Sequence, residues 1–136
     1  APWLAAFGTR FKKSSLLVGS LALYGCGELL LSSTEVYYVG LISIFIVGCA
    51  HLIMATTTNT TLQLFVPEPV RGRVMAMYLM VFTIGAPLGS IIQGPLADQF
   101  GSRWVVAVMG CLFIVSAFLF AITKRAATFD FDEPLI

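Results

Sequence analysis

Four stretches of this chain, residues 14–31, 36–58, 74–96 and 104–123, are apolar almost from end to end, and Glu28 is the one Asp, Glu, Lys or Arg among them. A bilayer core about 30 Å thick is crossed by roughly 20 residues of α-helix, so each stretch is long enough to span it. The runs are continuous rather than alternating, and a helix satisfies its own backbone hydrogen bonds where no water can, so helices are predicted rather than barrel strands. Composition leaves a soluble fold little room. Hydrophobic residues make up 58% and charged residues 11% of the chain, against roughly a quarter charged in a soluble domain, and the polar faces that amphipathic soluble helices require are missing. The predicted class is an all-α membrane protein with four transmembrane helices.

The few charges orient the chain. Connections are expected at residues 8–13, 32–35, 65–73 and 98–103. Arg10, Lys12 and Lys13 fall in the first, Arg71 and Arg73 in the third, and Lys124 and Arg125 after the last span, which puts seven basic residues on one side and Arg103 alone on the other. By the positive-inside rule the chain starts and ends in the cytoplasm, and Trp104, Tyr37 and Tyr38 lie at the outer boundary, where amphipathic rings are enriched. The opening APWLAAFGTR lacks an initiator methionine and is too short to span. Its basic residues follow the apolar run rather than precede it, so it reads as the end of an earlier helix in a fragment, not as a signal peptide. Residues 1–125 form the membrane part, and residues 126–136, with Asp130, Asp132 and Glu133, are expected to be a poorly ordered cytoplasmic tail.

Polar residues within the spans narrow the chemistry. His51 lies roughly 20 Å from the outer boundary, near the bilayer midplane. It is either a group that exchanges a proton or hydrogen-bonds a substrate, or a neutral histidine bonded to a neighbouring helix. Asn59 and Gln63, four residues apart on one helical face, carry amides that cannot be satisfied locally. With His51 they form a rough polar stripe, which suggests a water-filled cavity or a polar helix contact. The threonines at 56–58, 60 and 61 say little, because their hydroxyls can return to the preceding turn. Glu28, about one turn from the outer end of its span, either reaches the interface or pairs with a basic group on a helix outside the chain. Gln93 reads as an interhelical hydrogen-bonding group.

The third span holds GAPLGSIIQGPL. Gly85 and Gly89 are four apart, with Ala86, Ser90 and Gly94 on an adjoining strip, and such small residues let helices approach closely in lipid. Pro87 and Pro95 are expected to bend or loosen that helix. Cys26, Cys49 and Cys111 stand in separate spans at no metal-ligand spacing and read as packing residues. Neither a catalytic cluster nor a phosphate-binding loop is present, so the sequence predicts no enzyme, no cofactor, no metal and no nucleic-acid partner.

Asn59, Gln63, Pro67 and the run Arg71-Gly72-Arg73-Val74-Met75, followed by Gly85, Pro87, Leu88, Gly89 and Gly94, resemble the C-terminal part of a major facilitator superfamily transporter. The likeness is to its drug and siderophore exporter branch, which includes enterobactin-exporter-like and macrolide-efflux-like proteins. The segment GTRFKK looks like the cytoplasmic loop between helices eight and nine of that fold. The resemblance implies the end of helix eight and all of helices nine to twelve of a twelve-helix fold, in a bacterial inner membrane, with lipid and the remaining helices as partners. It also implies a cavity lined by His51, Asn59 and Gln63, a face around Gly85, Pro87, Gly89 and Gly94 at the interface between halves, and proton-coupled export of small amphiphilic molecules. Arg71 and Arg73, with Glu68, are expected to act as a cytoplasmic latch or a topology anchor. The other reading is a transporter-like membrane module that acts as a scaffold or sensor.

Overall fold

The computed structural model describes residues 13–126, the last three by backbone alone. The expected end of a preceding helix, most of the first basic segment and the acidic tail lie outside the described residues. Within them the chain forms four α-helices: α1 (Lys13–Ser33), α2 (Tyr37–Phe65), α3 (Glu68–Phe100) and α4 (Ser102–Ala126). All four are long and apolar enough to cross a membrane, and no strand occurs among the described residues.

Two helices run further than the apolar pattern indicates, and the connections shrink accordingly. The Thr/Asn/Gln segment after residue 58 continues α2 to Phe65, and only Val66 and Pro67 separate it from α3. Pro67 caps α3 with φ −58° and ψ 144°, and Glu68 and Pro69 occupy its first two positions. Proline suits that place because its missing N–H would have no helical acceptor there. Arg71 and Arg73 therefore stand on the first turns of a helix rather than in a loop. At the other end of α3 the connection is a single residue, Gly101, whose φ of 87° favours glycine and whose N–H donates to the Ala97 carbonyl at 2.9 Å. Only the α1–α2 connection keeps about its expected length, with the Val36 N–H donating to the Thr34 hydroxyl at 3.1 Å.

Short connections make sequential helices antiparallel, and α1 lies between α2 and α4. Contacts at each end set the two faces apart. At one end Lys13 stands over the Phe65 ring, with its Nζ 6.0 Å from the centroid. At the other, Arg103 pairs with Glu35 at 3.1 Å and donates to the Thr34 carbonyl at 3.4 Å. Lys13, Arg71 and Arg73 thus share one end of the bundle, here called the basic end.

The core is built from small residues: Ser14, Ser20, Gly25 and Gly27 of α1, Ser43 and Ala50 of α2, and Gly110 and Ala117 of α4 are buried. Large apolar side chains face outward, as with Phe45 and Val81, each 72% exposed. Lipid solvates leucine and phenylalanine as well as a core does, so close backbone packing rather than water exclusion holds such helices together. Ser20 and Ser43 fit because their hydroxyls stay within their own helices, donating to the Leu17 and Val39 carbonyls. Nothing in α3 is buried. It touches α4 and α2 only sparingly and leaves most of its surface unpartnered.

Candidate functional site

At mid-height, five rings from four helices form a continuous line. Phe113 of α4 lies 4.3 Å from Tyr24 of α1, and Tyr24 lies 6.3 Å from His51 of α2. His51 lies 5.6 Å from Phe82 of α3, and Phe82 lies 5.9 Å from Tyr78. Each ring falls near the middle of its helix; His51 is fourteen residues into α2, about 21 Å at 1.5 Å per residue. All four contacts are tilted, an arrangement aromatic pairs favour over face-to-face stacking. His51 is half-buried between Tyr24 and Phe82, and neither imidazole nitrogen hydrogen-bonds another described residue.

Eight residues on, about 12 Å along α2, Asn59 is half-buried and Gln63 exposed. Contrary to the expectation that these amides find no local partner, the Gln63 amide donates to the Asn59 side-chain oxygen, as side chains four apart on one helical face can. That bond leaves the Asn59 amide nitrogen and the Gln63 oxygen free of partners among the described residues. Thr60 and Thr61 return their hydroxyls to the carbonyls of Thr56 and Thr57, as threonines in such a run can. The three stripe residues do not converge: His51 is held among rings, while Asn59 and Gln63 hold each other nearer the basic end.

Arg71 lies back over the α2–α3 turn, its Nε donating to the Val66 carbonyl at 3.3 Å. Glu68 and Arg73 are exposed, and Glu68 pairs with neither Arg71 nor Arg73. The small-residue face of α3 is open: a Cβ added at Gly85, Gly89 or Gly94 would meet nothing within 4 Å. The helix runs unbroken through Pro87 and Pro95, and the Ser90 hydroxyl donates to the Pro87 carbonyl at 2.8 Å.

Close helix contact occurs instead at α1. A Cβ at Gly25 would come within 2.7 Å of both the Gly110 carbonyl oxygen and Ile114 Cγ1 of α4, and one at Gly110 within 3.0 Å of the Gly25 carbonyl oxygen. On the other side of α1, a Cβ at Gly27 would meet Val47 Cγ2 of α2 at 2.7 Å. Glu28 lies on this α1–α4 seam, since a Cβ at Gly110 would approach the Glu28 Cβ to 3.2 Å. Its Oε2 is enclosed and has no hydrogen-bond partner. The sequence signal was present, Gly25 and Gly27 in one span, Gly110 in another and an acid one turn from Tyr24, but only the packing shows which faces meet. Among the described residues no group of three His, Cys, Asp or Glu could hold a metal ion, and Cys26, Cys49 and Cys111 are free thiols.

The family described as the Major Facilitator Superfamily matches residues 1–132. The chain is 26% identical over 89 residues to the staphylopine export protein of Staphylococcus aureus, covering 63% of this chain and 22% of that protein. It is 21% identical over 112 residues to the Na(+), Li(+), K(+)/H(+) antiporter of Planococcus maritimus, covering 82% of this chain and 26% of that protein. The chain thus matches about a quarter of the length of these curated relatives. No solved structure matches. The family match takes in all four membrane-length helices, the arginine turn between α2 and α3, and the glycine-proline face of α3, and the chain belongs to the Major Facilitator Superfamily.

Proposed function

We propose that this chain is part of a secondary active transporter that exports small amphiphilic organic molecules in exchange for protons, with α2 on the transport path. The observation that carries the reading is the row of polar groups on α2 with unspent hydrogen-bonding capacity, His51, Asn59 and Gln63, within a helix of membrane length. Unsatisfied polar groups at that depth are costly in lipid, and face a cavity, a ligand or another helix. In this reading the basic end lies in the cytoplasm of a bacterial inner membrane, and helices outside this chain complete the cavity. The names of an exporter and a cation/H+ antiporter among the relatives favour transport over catalysis.

Two further parts have roles in the same cycle. The open face of Gly85, Pro87, Gly89 and Gly94 on α3 meets a helix of the other half, where the absence of side-chain bulk lets the halves slide. Arg71 and Arg73 hold the α2–α3 turn at the cytoplasmic surface, and pair with lipid phosphates or acidic groups beyond this chain. The test uses the full-length protein in sealed vesicles, following efflux of amphiphilic dyes with and without an imposed proton gradient. Gradient-dependent efflux is expected; no gradient-dependent movement of any dye favours a scaffold or sensor instead.

A further inference from the structure

Among the described residues four are acidic, and three of them, Glu35, Glu68 and Asp98, lie in a connection or within three residues of a helix end. Glu28 is different. It stands five residues before the end of α1, about 7.5 Å inside the helix, and does not extend to that end. Its Cβ stands on the α1–α4 seam beside the bare Cα of Gly110, and the residue is half-buried with one of its two carboxyl oxygens, Oε2, enclosed.

The enclosure of Oε2 comes from the described helices alone. Among the described residues Oε2 meets no basic group and no hydrogen-bond donor. The groups around it offer no counter-charge. On α1 the titratable neighbour one turn away is Tyr24, and α2 presents His51 to the Tyr24 ring. Cys26, Cys49 and Cys111 are the thiols of these helices. No Asp, Glu, Lys or Arg occurs in α2, and Arg103 of α4 is engaged by Glu35 at the helix end.

Enclosing an unpaired carboxylate anion costs far more than enclosing a carboxylic acid. Closing the Gly25–Gly110 seam over Oε2 and binding a proton there therefore favour each other, and opening the seam favours release. A metal cation is a poor occupant, because hard cations take several oxygen ligands and this site presents one carboxyl group. We infer that Glu28 is a proton-binding site that loads and unloads as the α1–α4 seam opens and closes. Uptake forms one O–H bond at Oε2 with a proton delivered by water; release breaks that bond and returns the proton to water, with no electron transferred. Its use as the coupling site rests on the transport reading above: Tyr24, packed against His51, then carries its state to the helix that carries the polar stripe.

Infrared difference spectra of the full-length protein in lipid vesicles, taken between acid and alkaline pH, test the site without any transported substrate. The expected result is a carboxyl C=O band that titrates in the wild type and is lost in Glu28→Gln, whose side chain keeps the shape. Glu28→Asp should keep a titrating band at a shifted midpoint, which guards against loss of the band through misfolding. Identical carboxyl bands in wild type and Glu28→Gln overturn the inference, as does a band lost in the Gln variant but unmoved by Asp. Dye efflux separates the two claims: a Glu28 band in a protein with no gradient-driven efflux leaves the proton site and removes the transport reading. Gradient-driven efflux with no Glu28 band does the reverse.

Discussion

Helices α1 and α3 are alike in composition and opposite in circumstance. Both are glycine-rich membrane helices, with mean hydropathy of 1.5 and 1.8 over their most apolar stretches, yet 22% of that stretch is buried in α1 and none in α3. The difference lies in where their small residues meet something. Gly25 abuts the backbone of α4 and Gly27 a side chain of α2, whereas Gly85, Gly89 and Gly94 face open space. Small residues mark a helix as approachable and do not say by what. In α1 the approaching helices belong to this chain; in α3 the small-residue face meets none of the described residues.

The sharpest way to break this contrast is to add bulk at the two kinds of glycine. Gly25→Ala should destabilise the full-length protein by about 1–3 kcal/mol, the usual cost of overpacking, and Gly25→Leu should prevent stable folding. The obstacle at Gly25 includes a backbone carbonyl, which cannot turn aside. Gly27→Ala should cost less, because a Val47 methyl group is the nearest obstacle there. Thermal unfolding in detergent reads all three, and equal losses at Gly25 and Gly27 would remove the special place of the α1–α4 seam.

On α3 the outcome should move from stability to rate. Gly89→Leu meets nothing within this chain, so the unfolding midpoint should stay near the wild-type value while dye efflux from vesicles falls severalfold. Unchanged efflux would show that this face contacts no moving helix. His51→Ala is expected to lower efflux while leaving membrane expression intact, and His51→Phe, which keeps the ring contacts with Tyr24 and Phe82, should not restore it. Restoration by phenylalanine would reduce His51 to a packing ring. The smallest effect belongs to Glu35 and Arg103. Their pair is exposed, with 81% and 53% of the two side chains accessible, and a double-mutant cycle should give no more than about 1 kcal/mol, fading as salt is raised.

Much of the fold was legible because the membrane imposes a length and forbids unsatisfied backbone. The four spans were located within a few residues at several ends, but the helices pass beyond the apolar run wherever polar residues can remain helical. The segment from Asn59 to Gln63 shows this: it reads as a helix leaving the membrane, and it stays helical to Phe65 with an i to i+4 amide bond along it. The polar character of His51, Asn59 and Gln63 was equally plain. Their separation was not, since whether residues on one helix converge depends on what packs between them, here the rings of Tyr24 and Phe82. For Glu28 position alone leaves more than one reading, because depth along a helix does not say which way a side chain turns.

The sequence by itself determined that this chain crosses a membrane as four helices, which end carries the basic residues, and which family it belongs to. These follow from hydrophobic length, charge and local motif, none of which needs a second helix to be defined. The tertiary structure alone decided that α1 is the central helix, that Gly25 and Gly110 form its closest seam, that five rings from four helices meet at mid-height, and that one carboxyl oxygen of Glu28 is shut inside. Those are statements about faces, and in lipid, where every helix surface is apolar, the pattern of hydrophobicity no longer distinguishes the face that packs from the face that does not.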